Sequence, residues 1–139
     1  GEEGGHRRPL HCACYAGCVE AVQLLLDHGA WLEAGDKLGA TPLSQACAAG
    51  RVDVVRLLLV RGANPLARNG SQMTVLMAAA FGGDSPGSDH VGVIRLLLSD
   101  GRVPIDAVDA DGRTALHWAC SLGRVDRARV LLYEGGADH

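Results

Sequence analysis

The segment Asp36–Ala63 reads DKLGATPLSQACAAGRVDVVRLLLVRGA, and its order of residue types predicts two short helices separated by a glycine. Thr41 can begin the first helix, because its hydroxyl accepts a free N–H of the first turn. Pro42 is tolerated at the first helical position. Gly50 suits the left-handed conformation that often follows a helix C-terminus, and Gly62 suits the end of a second helix.

The second helix of this segment is predicted to be amphipathic. Its apolar residues recur at helical spacing, so one side needs a neighbour to cover it. These residues are Val52, Val55, Leu58 and Leu59. A single pair of helices cannot bury such a side alone.

The same order of residues recurs along the chain. Leu10, Leu43 and Leu76 are each 33 residues apart, and Leu116 follows Leu76 after 40. Most of the longer interval is a six-residue insertion around 83–89. A fixed period of this size is the signature of a repeat protein. Each repeat also carries an apolar triplet, and these are Leu24–Leu26, Leu57–Leu59, Leu96–Leu98 and Val130–Leu132. Stacking would bury them at roughly 1.5–3 kcal/mol per leucine.

This arrangement resembles the ankyrin-repeat family, whose pattern has a turn with Asp and Gly, then Thr-Pro-Leu-His, Ala-Ala, Gly, Val-Val, Leu-Leu-Leu and Gly-Ala. The second repeat matches it at Asp36, Gly39, Thr41, Pro42, Leu43, Ala46, Gly50, Val54, Val55, Leu57–Leu59, Gly62 and Ala63. The fourth matches it at Asp109, Gly112, Thr114, Leu116, His117, Ala119 and Gly123. The resemblance implies an all-α solenoid of stacked helix-turn-helix repeats, joined by β-hairpin-like turns, with a concave inner face.

The domain is predicted to span 4–139, after terminal residues 1–3. The repeats are expected at about 4–37, 38–69, 70–109 and 110–139. Three positions depart from the family pattern: His6 and Arg8 in the first repeat, and Gln72 at the turn glycine of the third. The end of the chain has no evident polar cap, which terminal repeats normally need, so we expect a segment of a longer protein.

The family binds partners on a concave surface, and the resemblance assigns first-helix positions to it. The corresponding residues are Cys12, Tyr15, Ala16, Gln45, Ala48, Ala49, Ala78, Phe81, Trp118, Ser121 and Leu122. Three of the five aromatic residues of the chain are in this set, and aromatic side chains dominate binding hot spots. The alternative is that they only fill the seam between neighbouring first helices.

The resemblance also assigns hairpin positions to partner binding. They are Trp31, Glu33, Asp36, Lys37, Arg68, Met73, Asp106, Asp109, Asp111 and Arg113. Arg68 and Arg113 could pair with carboxylates of a peptide, and the acidic residues could meet a basic one. The alternative is that most of these charges only maintain solubility. The insertion could fold over the groove or carry a phosphate at Ser85, or it could be a tolerated surface loop.

Composition excludes several classes of function. The net charge is −3, so the chain lacks the basic surplus that favours nucleic acid as a partner. It has no apolar run of the roughly 18 residues that a membrane span needs. Five cysteines without a signal peptide indicate reduced thiols, and therefore a cytoplasmic or nuclear location.

No catalytic, metal or cofactor motif is evident. Cys12 and Cys14 are two apart, so on a helix they point in different directions, and a second ligand pair is missing. Three cysteines in equivalent positions are expected to be small packing residues, and they are Cys14, Cys47 and Cys120. His11 and His117 are expected to fix the junction of hairpin and helix, as in the family.

The sequence therefore predicts a module that binds a protein or a linear peptide, with no enzymatic activity and no cofactor. Such a module would serve as the recognition part of a scaffold or adaptor, or of the substrate receptor in a ubiquitin ligase. The alternative is a stand-alone inhibitor that covers an enzyme such as a kinase, as some four-repeat members of the family do. An enzyme or a metal site is the third possibility.

Overall fold

The structure is a computed structural model that describes residues 9–136, and these residues form eight α-helices in four consecutive pairs. The helices are α1 Pro9–Ala16, α2 Val19–Asp27, α3 Pro42–Ala49, α4 Val52–Val60, α5 Val75–Phe81, α6 His90–Asp100, α7 Ala115–Ser121 and α8 Val125–Tyr133. The predictions for His6, Arg8 and the two chain ends lie outside the described residues.

The helices form two parallel rows. The first helices of the pairs pack in the order α1, α3, α5 and α7, and the second helices pack behind them as α2, α4, α6 and α8. The largest side chains between the rows are fully buried, including Leu43, Leu58, Leu76 and Leu97. The predicted all-α solenoid is confirmed, because each pair covers its apolar side with the next.

Threonine residues begin three of the inner helices, as the sequence predicts. The hydroxyls of Thr41, Thr74 and Thr114 each accept a hydrogen bond from the N–H three residues later, at 3.2 Å. In the fourth repeat the ring of His117 also accepts from the Thr114 N–H, which completes a reciprocal cap. His11 lies at the equivalent position of α1 and donates from Nε2 to Ala40 O, at 3.0 Å. His117 therefore fixes the junction of hairpin and helix in its own repeat, as predicted, whereas His11 ties α1 to the turn before α3.

Glycines end three of the four inner helices. Gly17, Gly50 and Gly123 have φ angles of +80°, +70° and +70°, the left-handed region that favours glycine. In each case the N–H of the glycine and the N–H of the residue after it donate back to carbonyls of the last helical turn. Gly82 ends α5 with φ −56°, so the chain leaves this helix differently and enters the insertion.

The hairpin-like turns between repeats share one geometry. An oxygen of Asp36, Asn69 or Asp109 accepts from the N–H groups two and four residues later, at 2.8–3.0 Å. Gln72 has φ +63° at the turn position where the second and fourth repeats have Gly39 and Gly112, so the predicted departure keeps the turn and places a side chain in the left-handed region.

Main-chain hydrogen bonds also join neighbouring hairpins. Gly70 N donates to Leu38 O at 2.9 Å, and Ala110 N donates to Ser71 O at 3.0 Å. The backbone therefore takes a direct part in holding successive hairpins to one another.

The three equivalent cysteines do not share one environment. Cys14 and Cys47 are buried, and burial raises the pKa of the Cys14 thiol to about 12 and that of Cys47 further. Cys120 is exposed, which corrects the prediction that it packs in the core. The reason is its position, because α7 is the last inner helix in the described part of the chain and no further helix covers it.

Candidate protein-binding face

A small cavity lies on the face formed by hairpins and inner helices, between the second and third repeats. We call it the concave pocket; its volume is about 160 Å³. The lining residues are Asp36, Leu38, Ala40, Ser44, Gln45, Ala48, Asn69, Met73, Ala78 and Phe81. Six of the predicted partner-binding residues are brought together there, and they are Asp36, Gln45, Ala48, Met73, Ala78 and Phe81.

One wall of the concave pocket is polar and internally bonded. Gln45 Nε2 donates to Asp36 Oδ2 at 2.8 Å, and Asp36 Oδ1 accepts from the N–H groups of Leu38 and Ala40. The carboxylate therefore accepts three hydrogen bonds from its own turn and from the helix that follows. Asp36 positions Gln45 and the turn, rather than presenting a free charge.

The fourth repeat has the same connection with different residues. Trp118 Nε1 donates to Asp109 Oδ2 at 3.1 Å, across the same nine-residue separation as between Gln45 and Asp36. The guanidinium carbon of Arg113 lies 4.2 Å from the centroid of the Trp118 ring, a cation–π contact. Hydrogen bonds from the N–H groups of Arg113 and Asp111, with a further contribution from the indole, hold the pKa of Asp109 below its ordinary value.

The third repeat lacks this connection. Its equivalent residues are Asn69 and Ala78, and a methyl group cannot reach the hairpin. The missing side chain leaves the space that Met73 and Phe81 border. The Phe81 ring in turn lies against Trp118, with centroids 5.4 Å apart and planes at 44°. The concave pocket therefore exists because a small residue stands between two larger ones in successive repeats.

Three of the predicted contact residues are buried, and they are Ala49, Ala78 and Asp109. Ala78 is 3% exposed and Asp109 is 6% exposed, so neither side chain presents surface to a partner. Ala78 forms part of the pocket floor within the helix stack, and Asp109 is enclosed by its hairpin and Trp118. All three positions are corrected from contact to support.

The two arginines expected to bind carboxylates already have partners. Arg68 Nη1 donates to Val108 O at 2.9 Å and to Gln72 O at 3.3 Å, so it bridges two hairpins. Arg113 Nη2 bonds Asp111 Oδ2 at 2.8 Å. A peptide carboxylate would have to share or displace these bonds.

The remaining predicted residues are distributed outside the pocket. Tyr15 and Ser121 occupy the position of Phe81 in the first and fourth repeats, and Tyr15 is 48% exposed. Glu33 accepts from Asn64 N at 2.8 Å in the next hairpin. The others with exposed side chains are Cys12, Ala16, Trp31, Lys37, Asp106, Asp111 and Leu122.

Basic residues at the opposite edge form a regular series that sequence reasoning missed. We call this the inter-helix edge; it consists of the turns between the two helices of each repeat. Arg51 Nε donates to Tyr15 O at 3.0 Å, and His90 Nε2 donates to Ala48 O at 2.8 Å. Arg124 Nη2 approaches Phe81 O at 3.5 Å in the same way.

Each basic residue of this series thus reaches a carbonyl at the end of the inner helix that belongs to the repeat before its own. Such carbonyls have no partner within their own helix, and cations are favourable there. The signal in the sequence was the recurrence of a basic residue immediately before a valine at the start of the second helix, at Val52, Val91 and Val125.

Arg127 is a second residue that sequence reasoning missed. It is only 4% exposed, and its Nη1 donates to Ala79 O, Ala80 O and Gly82 O at 3.1, 3.0 and 2.7 Å. Its Nη2 pairs with Asp84 Oδ1 of the insertion at 2.7 Å. Desolvation by burial lowers the pKa of Arg127, opposed by the charge of Asp84.

Arg127 replaces the cap that the insertion removes. Without a left-handed glycine after α5, the carbonyls of the last turn accept from a guanidinium instead. The sequence did hold a signal, because the equivalent residues Val54 and Val93 are apolar and fully buried. An arginine at this buried position needs hydrogen-bond acceptors that are buried with it.

His90 lies between the insertion and the helix stack. It is buried, and desolvation lowers its pKa, although the bond to Ala48 O and the nearby Asp84 act in the opposite direction. Its Nδ1 is 3.4 Å from Asp84 Oδ1.

Residues 9–136 lack the features of two other kinds of site. None of the helices there has the length and apolar character needed to cross a bilayer. No group of three or more His, Cys, Asp or Glu side chains within this range is arranged to hold a metal ion.

The fold and the concave pocket define a class of protein: solenoids of helical pairs that bind other proteins. The chain belongs to the ankyrin-repeat family. The family model described as "Ankyrin repeats (3 copies)" matches residues 2–69 and again residues 62–139, which together cover nearly the whole sequence. Repeats of this family are protein-interaction modules and are typically not catalytic.

The chain is also similar to part of a larger protein. It is 44% identical over 124 residues to "Palmitoyltransferase AKR1" of Eremothecium gossypii. The match covers 88% of the chain but 16% of that relative, so the chain spans about a sixth of its length.

Proposed function

We propose that the concave face binds an extended segment of a partner protein, with an aliphatic side chain inserted into the concave pocket. The observation that carries this proposal is the juxtaposition of Met73, Phe81 and Ala48 around a cavity of about 160 Å³. That volume accepts one branched or linear aliphatic side chain. Methionine and aromatic side chains are well suited to such contacts, because they adapt in shape and carry large apolar area.

Polar groups at the rim favour a peptide backbone over a wholly apolar ligand. Gln45 retains its amide oxygen as an acceptor while its nitrogen is bonded to Asp36. Ser44 also lines the pocket. A segment with its apolar side chain in the pocket can therefore use its own N–H and hydroxyl groups at this rim.

In the cell this face would serve as the recognition part of a larger scaffold or adaptor, or of a ubiquitin-ligase substrate receptor. The likeness to part of a palmitoyltransferase favours a second candidate, in which the repeats recruit protein substrates to an acyltransferase part of the same protein. The two differ in whether a peptide bound at the concave face is acylated by the complete protein. Loss of that acylation in a Phe81→Ala variant would favour the second candidate.

The proposal is tested by selecting peptides from a random displayed library on the immobilised protein, then measuring affinity by calorimetry. Replacing Tyr15, Phe81 and Trp118 together by alanine is expected to weaken binding at least tenfold, about 1.4 kcal/mol. The single Phe81→Ala variant should account for most of the loss. Selected peptides should share an aliphatic residue at one position.

The matched control is Tyr133→Ala, which removes an exposed aromatic residue at the end of α8. It should leave affinity unchanged, and circular dichroism should show unaltered helicity in all variants. Equal affinity of the triple variant and the unmodified protein would refute the concave-face proposal. Inhibition of a protein kinase by the chain, competed by the selected peptide, would instead favour the stand-alone inhibitor.

A further inference from the structure

The insertion is an exposed loop that is held at both of its sides. Arg127 of the fourth repeat bonds Asp84 at its start, and Arg51 of the second repeat bonds its centre. The residues that Arg51 contacts are Ser85 and Pro86, and both are exposed. A serine followed by proline is the sequence that proline-directed protein kinases modify, and here it lies on an accessible loop.

Arg51 is already placed against this serine. Its Nη2 donates to Ser85 Oγ at 3.3 Å and its Nη1 to Pro86 O at 2.9 Å, while Nε donates to Tyr15 O. A guanidinium has five N–H donors. Three are used by these contacts within residues 9–136, so two remain for further acceptors beside the serine hydroxyl.

We propose that Ser85 is a phosphorylation site whose phosphate is bound by Arg51. In the modification step, Ser85 Oγ attacks the γ-phosphorus of a nucleoside triphosphate held by the kinase. The bond from that phosphorus to the β-phosphate oxygen breaks, the nucleoside diphosphate leaves, and the hydroxyl proton passes to a base of the kinase. The product carries nearly two negative charges and three strong acceptor oxygens next to a guanidinium.

The bound phosphate would tighten an existing bridge rather than form a new one. Arg51 contacts Tyr15 at the end of the first inner helix, and it also holds the loop of the third repeat. A charge-assisted bond here is roughly twice as strong as a neutral one. Phosphorylation would thus strengthen the joining of three repeats at the inter-helix edge.

Acidic residues near Ser85 repel a phosphate there and reduce the net gain from its bond to Arg51. Asp84 is adjacent in the loop, and Asp53 and Asp89 line a cavity of about 340 Å³ beside Arg51. They disfavour a second negative charge, whereas Arg51 favours it. The contribution of Arg51 is therefore best isolated by comparing variants at this one residue.

The first experiment installs phosphoserine at position 85 by genetic-code expansion and titrates it by phosphorus NMR. The second pKa of phosphoserine is ordinarily about 6. It should be lower by about half a unit or more in the protein with Arg51 than in Arg51→Gln, and Arg51→Lys should recover part of the difference. The thermal midpoint should rise on phosphorylation only when Arg51 is present.

Phosphoserine at position 99, on α6 and away from the insertion, is the matched control, and its titration should not respond to Arg51→Gln. The same second pKa at position 85 with and without Arg51, in variants that are folded by circular dichroism, would overturn the assignment of Arg51 as the phosphate ligand.

The second experiment treats the folded protein with a purified proline-directed kinase and ATP, and maps the product by mass spectrometry. Ser85 should be modified, and Pro86→Ala should reduce the rate at least tenfold. A peptide covering 80–92 is the reference for an unrestrained substrate. Modification of that peptide without any modification of the folded protein would overturn Ser85 as a site. These results do not depend on peptide binding at the concave face.

Discussion

The hairpin edge and the inter-helix edge are built from different kinds of bond. At the hairpin edge, Asp36, Asn69 and Asp109 close their turns with local hydrogen bonds, and backbone groups join one hairpin to the next. At the inter-helix edge, long basic side chains reach across repeats, and Arg127 bonds residues more than 40 positions earlier. The first edge repeats the same geometry, whereas the second keeps one recurring bond from a basic residue but departs from it at the insertion, where Arg127 is added.

The difference shows where a repeat protein can tolerate change. The turns of the hairpins form from residues two to four positions apart, so each is complete within a short stretch of chain. The third repeat gained extra residues at the opposite edge, where an altered turn required one arginine from the next repeat to satisfy the carbonyls it exposed. Insertion at this edge left the backbone hydrogen bond between neighbouring hairpins in place.

The sharpest test of this comparison is Arg127→Ala. It leaves the carbonyls of Ala79, Ala80 and Gly82 buried without a donor and removes the partner of Asp84. We expect the free energy of unfolding to fall by about 3–5 kcal/mol, measured by urea denaturation. Arg129→Ala on the same helix removes an exposed arginine and should cost less than about 0.5 kcal/mol. A loss no larger than that of the control would show that the insertion is held by other means.

A smaller effect is expected at the hairpin edge from Asp109→Asn. The third repeat already uses Asn69 in this position, so the turn should survive. The amide cannot accept at both atoms, so Trp118 or Arg113 loses a partner, and we expect Tm to fall by about 4 °C at pH 7.

The same variant has a defined pH dependence. The folded-state pKa of Asp109 is lowered, first by the Arg113 N–H. Its contribution to stability is therefore fully present above the unfolded value of about 3.9 and is lost as the pH falls through the folded value. Denaturation midpoints of the unmodified protein and the variant should differ at pH 7 and converge toward pH 2. A constant difference over this range would contradict the role of the carboxylate charge.

The smallest effect is a gain from Gln72→Gly. Gln72 has φ +63°, where a side chain is disfavoured, and glycine removes that strain at a cost in chain entropy. We expect a net stabilisation of up to about 1 kcal/mol by thermal denaturation. The reciprocal control is Gly112→Gln, at φ +79° with open space around the position, and it should destabilise by a similar amount. Destabilisation by Gln72→Gly would mean that the side chain makes a compensating contact.

The sequence alone predicted the features whose hydrogen bonds are local. It did not predict the features that depend on contacts between repeats. The threonine caps, the glycine ends and the asparagine or aspartate turns all follow from residues a few positions apart. The concave pocket could not be predicted in this way, because it depends on the position of Ala78 between the larger residues Gln45 and Trp118 of the adjacent repeats. The burial of Asp109 depends likewise on the Trp118 ring. Cys120 was misjudged because equivalence between repeats ignores which repeat is covered by a following one.

The hairpin-to-hairpin bonds, from Gly70 to Leu38 and from Ala110 to Ser71, also have a mechanical consequence. Under a force that pulls the repeats apart, these short backbone links yield little before they break. The opposite edge is expected to stretch first, because its ties run through side chains, among them the long side chain of Arg51. The repeats should therefore rotate relative to one another about an axis along the hairpins. The distance between neighbouring hairpins should stay nearly constant during this motion.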